Sequence, residues 1–391
     1  MPVRSLFDRI VARRAAKVPQ APRAPRVYRC QCGGLVFFRN SVCLRCGFAL
    51  GFDPEAGELF PLQPGPQPDS WIHAAQGTPA GRLYYRCVNL HTPAGCNWLV
   101  TEPQDQQVFC RSCRLNRTIP DLSLPENALL WHKIEIAKRR LVSSLLSLHL
   151  PVASRVNEDP QRGLAFDFLK PVPGGAAIWT GHGGGLITIN IEEADDARRE
   201  QVRQQLHEPY RTLLGHFRHE VGHYYWDRLV DGTPWLDLFR EVFGDERDDY
   251  NSALQRNYQY GPPPDWSSRF VSAYASAHPW EDFAETWAHY LHMADSLDTA
   301  RSFGLKAGEV TTELENHKPE ALLRPDDPDA VRFLSFLNQW TALTAVMNEL
   351  TRSMGQQDFY PFVLAPAAVA KLQFVHMVIG RQPATHKRRR G

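Results

Sequence analysis

His219, Glu220 and His223 stand in the order H-E-x-x-H within the stretch HFRHEVGHYYWDRLV. On a helix, residues four apart share a face, so these two imidazoles can meet one zinc ion. Glu220, beside the first of them, then lies where it can take a proton from a water held at that ion. This set hydrolyses a peptide bond without a covalent intermediate, provided a third ligand completes the site.

That ligand is expected in SAYASAHPWEDFAETWAHYLH, residues 272–292, where Glu281 and Glu285 are four apart on a helical pattern. Glu281 is the expected ligand. Glu285 is expected to hold the free N–H of a ligating histidine, because a metal-bound imidazole needs an acceptor for its other nitrogen. The reverse assignment stays open, as do His278, His289 and His292. Tyr274, seven residues before Glu281, can place its hydroxyl near the scissile carbonyl and stabilise the oxyanion. Tyr224 and Tyr225 compete for that role.

All eight cysteines fall early: Cys30, Cys32, Cys43, Cys46, Cys87, Cys96, Cys110 and Cys113. Cys43-Leu44-Arg45-Cys46 and Cys110-Arg111-Ser112-Cys113 are two-residue-spaced pairs, each able to offer two thiolates from one tight turn. The expected sites are sequential: Cys30, Cys32, Cys43 and Cys46 for one structural zinc, Cys87, Cys96, Cys110 and Cys113 for another. A crossed pairing stays open. A disulfide framework fits poorly, since no secretion signal is apparent and the rest of the chain has no cysteine. A closed four-thiolate site leaves no position for water, so these two zincs serve structure.

The elements that position these groups follow from periodicity. Residues 125–148 read as a helix, with Leu129, Leu130, Ile134, Ala137, Leu141, Leu145 and Leu148 near one face and Ser123 as its start. Residues 164–193 are β-like: a strand with Phe166 and Phe168, Ala177–Trp179, a GHGGG turn, then Leu186–Ile191. Such a strand either edges a substrate cleft or is an ordinary member of a sheet. A charged helical stretch from Asp195 and Asp196 is broken by Pro209, and a helix from about Tyr210 to Val230 carries the histidines. Residues 239–266 look polar and turn-rich, with Asp245, Glu246, Asp248 and Asp249 in a solvated loop or lining a channel for a basic peptide. Helices are expected over 329–354 and 366–379. Residues 61–71, PLQPGPQPDSW, read as a proline-rich spacer.

At 391 residues and a net charge of +1, the chain has room for several domains and no global attraction to nucleic acid or anionic membrane. Tyr28, Arg29, Phe37, Phe38, Arg39, Arg45 and Phe48 interleave in the first cysteine region as a small hydrophobic support or, less favoured, a nucleic-acid face. No window reaches the ~18 apolar residues of a membrane span, and a cytoplasmic location is expected. The expected class is α+β. Its parts are a basic arm (1–27), a small-β cysteine region (28–120), a mainly helical domain with a small sheet (121–380) and a basic tail (381–391).

The cysteine region followed by RLNRTIPDL, GLITINI, HE-x-GHYYW, FGDER, HPWEDFAETWAHYLH and SMGQQDFYPFVL resembles a bacterial family of zinc-binding metallopeptidases with an N-terminal zinc ribbon. The resemblance implies a gluzincin-like, zincin-type hydrolase domain acting on a peptide or protein of unspecified identity, with one catalytic zinc and with His219, Glu220 and His223 carried over directly. The E-x-x-x-E step with its upstream tyrosine is also similar to the protease domain of anthrax lethal factor, which supports the roles of Glu281, Glu285 and Tyr274. Two other readings stand beside this one: an inert zinc-ribbon scaffold, and a protease acting on nucleic-acid-bound proteins.

Overall fold

The computed structural model describes residues 25–74, 82–101, 108–171, 174, 178, 180–205, 208, 211–310 and 315–381. Most of the basic arm, the tail beyond 381, and Ala177, Trp179, Pro209 and Tyr210 lie outside the described residues. The chain forms two compact units, one ending at Tyr224 and the other starting at Tyr225.

The first unit opens with β1 (Val27–Arg29) paired antiparallel to β2 (Leu35–Phe37). A five-stranded antiparallel meander follows, in the order β3 (Leu50–Asp53), β4 (Glu58–Pro64), β5 (Ser70–His73), β6 (Tyr84–Arg86) and β7 (Leu99–Val100). The proline-rich stretch is therefore not a spacer. Pro61 and Pro64 lie in β4, and Leu62 pairs with His73 across the β4–β5 hairpin. Trp98 and Phe52, whose ring centroids are 5.0 Å apart, anchor this small core with Phe38, 4.8 Å from Phe52.

After the meander in sequence, β8 (Asn116–Thr118), β9 (Ala165–Leu169), β10 (Gly181–Gly183) and β11 (Leu186–Asn190) form a sheet in the order β10-β11-β9-β8. Its pairings are parallel except β10–β11, so β10 is an edge strand made from the residues read as a turn. Gly185 (φ +85°) makes that hairpin, and a Cβ there would stand 2.4 Å from the Gly163 carbonyl oxygen. Only glycine fits.

Helix α1 (Pro125–Ser147) begins on a proline, as first turns tolerate, but Ser123 does not cap it. The Ser123 hydroxyl donates to Asp121 instead, at 2.7 Å. Its buried face is Trp131, Ile134, Ala137, Leu141 and Leu145, while Leu129 is 69% exposed. Helix α2 (Asp196–Gln205) is polar, and α3 (Leu213–Leu229) carries the histidines. The sheet seats α3 through Phe217, whose ring lies 5.6 Å from Phe166 and 6.3 Å from Phe168.

The second unit takes the end of α3 and the helices α4 (Trp235–Phe243), α5 (Tyr250–Tyr260), α6 (Trp266–Arg269), α7 (Pro279–Ser302), α8 (Ala330–Ser353) and α9 (Pro366–Gly380). The 239–266 region is thus largely helical, its acidic start being the link between α4 and α5. The core is aromatic: Phe239, Phe243 and Phe283 ring Phe374 of α9, with centroids 5.4–6.4 Å from it. Beneath it, Lys371 pairs with the buried Asp282 at 2.6 Å. Among the described residues, no helix is long and apolar enough to cross a membrane.

Candidate metal centres

The cysteine sulfurs gather into two groups of four, each with all sulfurs within 4.8 Å of one another: Cys30, Cys32, Cys43 and Cys46, and Cys87, Cys96, Cys110 and Cys113. Short turns bring the pairs together. The Gly47 amide donates to the Cys43 carbonyl at 2.8 Å with φ +74° at Gly47, and the Gly33 amide to the Cys30 carbonyl at 2.9 Å. Nearest sulfur distances are 3.6 Å (Cys30–Cys46), 3.8 Å (Cys32–Cys43) and 3.6 Å (Cys96–Cys110). A disulfide would be near 2.05 Å, whereas four sulfurs about 2.3 Å from one ion stand about 3.8 Å apart. The donor sets fit zinc.

The two clusters differ in surroundings. Cys46 is exposed and Cys32 half-buried, but all four cysteines of the second cluster are buried. Burial pushes the Cys110 thiol up, while Cys96, against its own burial, is held well below the ordinary value by hydrogen bonds from Cys110 and Cys113. Four such thiols ionise together only with a cation at their centre. Arg139 of α1 stands beside them, nearly buried, donating to the Ala94 carbonyl at 3.0 Å.

On α3, His219 and His223 turn their Nε2 atoms toward each other at 3.2 Å. Two zinc–nitrogen bonds of about 2.0–2.1 Å at a tetrahedral angle require about 3.3 Å between nitrogens, so the pair fits one zinc. Glu220 lies between them in sequence and is 8% exposed. The β10–β11 hairpin adds a residue that sequence reasoning passed over. His182 lies nearly parallel to His223 (15°, centroids 6.2 Å apart) and accepts from the Gly185 amide at 3.1 Å. Burial pulls its pKa down to about 4, so it is neutral. A histidine inside an otherwise all-glycine turn was the available signal. Tyr224 donates to the Arg162 carbonyl at 3.0 Å, a packing role.

The second unit gathers the acidic half of the expected set. Glu281, in the first turn of α7, is 1% exposed. The Tyr250 hydroxyl donates to its Oε1 at 2.6 Å, another contact sequence reasoning did not foresee. Glu285 accepts from the Ser272 hydroxyl at 2.7 Å. Burial, then the charge of Glu281, holds the Tyr274 phenol well above its usual value, which keeps it a proton-bearing donor. His278 caps α7, its Nδ1 accepting from the Trp280 amide at 3.1 Å, and His289 Nδ1 is 2.6 Å from the Tyr360 hydroxyl. Tyr225 stacks on Trp287 with centroids 4.9 Å apart, again as packing. In the α4–α5 link, Arg247 pairs with Asp245 at 2.6 Å, Arg240 binds Glu246, and Asp249 caps α5. Three of these four acids are thus engaged locally.

Residues 127–378 match the model of a family described as "Putative zinc-binding metallo-peptidase", and residues 27–124 match a zinc-ribbon domain. Uncharacterized proteins of Mycobacterium bovis and of Mycobacterium tuberculosis strains CDC 1551 and H37Rv are each 41% identical over 357 residues, covering 90% of this chain and 95% of the relative. No solved structure matches. The likeness to anthrax lethal factor therefore rests on motif spacing alone. The family matches and the two four-sulfur clusters together support zinc as the metal.

Proposed function

We propose that this chain, which belongs to the zinc-binding metallo-peptidase family, hydrolyses peptide bonds at a zinc held by His219, His223 and Glu281. The observation that carries this is the 3.2 Å separation of the two Nε2 atoms on the helix that also presents Glu220. When bound, zinc supplies Lewis acidity that lowers the pKa of a water toward neutrality. Glu220 takes the proton of the attacking water and returns it to the leaving amine, so a C–O bond forms as the C–N bond breaks. Tyr274, kept protonated, donates to the oxygen that gains charge. Glu285 orients the site, and the two cysteine clusters hold one structural zinc each. The proposed setting is the cytoplasm and the proposed partner a peptide or protein substrate, with nucleic acid the less favoured partner.

Metal analysis of the purified chain tests the assignment. The expected result is close to three zincs, with one lost in each of the His219→Ala, His223→Ala and Glu281→Ala variants. Two zincs, unchanged by those substitutions, would overturn it. Loss in Glu285→Ala but not Glu281→Ala would exchange the two acids.

A further inference from the structure

Tyr250 lies 31 positions before Glu281 in sequence, yet its hydroxyl is 2.6 Å from Glu281 Oε1. A phenol donating to a carboxylate at that distance makes a charge-assisted bond, about twice as strong as a neutral one. Nothing about a tyrosine seeking a place in a core requires it, since any backbone carbonyl would satisfy the hydroxyl.

The surrounding structure fixes Tyr250 from two sides. Asp249 accepts from the Ser252 amide at 2.7 Å and so starts α5 at Tyr250. His278 then ties that start to α7. Its Nδ1 accepts from the Trp280 amide, so its Nε2 carries the proton and donates to the Asp248 carbonyl at 3.1 Å. The Tyr250 ring stands edge-on to His278 (centroids 5.2 Å, 81°) and 6.0 Å from Trp280. The loop before α5, the cap of α7 and the carboxylate on the first turn of α7 are therefore one braced unit.

Resting on the reading of Glu281 as a zinc ligand, we infer that Tyr250 is a positioning residue that sets the rotation of the Glu281 carboxylate. A carboxylate ligand already held by a hydrogen bond loses less rotational freedom when it meets its metal. Removing such partners typically costs about 10–100-fold in metal affinity. Tyr274 keeps its separate role toward substrate.

The test is zinc affinity of the intact chain, by competition with a chromogenic chelator, for wild type, Tyr250→Phe and Glu281→Ala. Tyr250→Phe keeps the ring that packs on His278 and Trp280 and removes only the hydroxyl. The expected result is that Glu281→Ala loses the weakest of three zincs while Tyr250→Phe retains it about 10–100-fold more weakly, the two cysteine-bound zincs being unchanged. If Glu281→Ala loses that zinc and Tyr250→Phe binds it as tightly as wild type, the inference fails and the ligand assignment stands. If Glu281→Ala keeps three zincs, the ligand assignment itself fails, whatever Tyr250→Phe does.

Discussion

Glu220 has the two properties a shuttling base needs. It is 8% exposed, which keeps bulk water from competing for its contacts, and it sits one residue from the first histidine of a pair whose Nε2 atoms are 3.2 Å apart. Glu220→Gln preserves shape and removes the proton acceptor. The expected outcome is unchanged zinc content with kcat lowered by about 100- to 10,000-fold, measured on a fluorogenic peptide mixture beside elemental analysis. Full activity with full zinc would remove Glu220 from the mechanism. At this scale much was legible in the sequence, because metal ligation imposes short spacings: Cys43 with Cys46, Cys110 with Cys113, His219 with His223. Tyr250 was not legible, and His182 showed only as a lone histidine in a glycine turn. Each reaches its neighbour through tertiary packing, Tyr250 from the start of α5 to the first turn of α7 and His182 from the β10–β11 hairpin to α3, and neither leaves a periodic trace.

Helix α1 shows how an element can be tied down by charge. Glu135 and Lys138, both 0% exposed, pair at 2.6 Å, and Asn116 of β8 bonds both of them. Lys138 also lies over Phe168, 5.5 Å from its centroid, and Arg139 stands 3.7 Å from Glu135 while facing the second cysteine cluster. This network joins α1, the sheet and the cluster within the first unit. Removing one partner leaves a buried charge short of compensation, which typically costs 3–5 kcal/mol. Since Arg139 remains, Lys138→Met should cost about 3 kcal/mol, read as a lowered urea midpoint in zinc-replete buffer. A midpoint within error of wild type would mean that Arg139 alone neutralises Glu135. Helical periodicity disclosed α1, α3, α7, α8 and α9. It failed at Leu129, which shares the apolar pattern yet is exposed, and at β4, where two prolines masked a strand whose Leu59, Phe60 and Leu62 are buried. Prolines read as punctuation locally, but a sheet accepts them where no ladder donor is needed.

The metals of the whole chain should leave in a set order, because access to ligands and completeness of coordination differ from site to site. The proposed His219–His223–Glu281 site has three protein ligands and an open position, so a chelator can reach its ion without breaking a thiolate bond. The first cysteine cluster is closed, but Cys46 is exposed and Cys32 half-buried, so a thiol-modifying reagent can start there. In the second cluster every cysteine is buried, and the charge of Arg139 beside Cys96 favours keeping its thiolates ionised. Its zinc should yield only when the surrounding fold opens. Following release with a chromogenic indicator, one zinc should go to chelator alone. A second should follow on titration with an organomercurial, and the third only in denaturant. Simultaneous release of both cysteine-bound zincs at low mercurial would show that burial gives the second cluster no protection. Release of the second cluster's zinc before the first's, traced by mass mapping of the modified cysteines, would reverse the order derived from exposure. Either result would place the kinetic stability of the second cluster outside the buried contacts of α1.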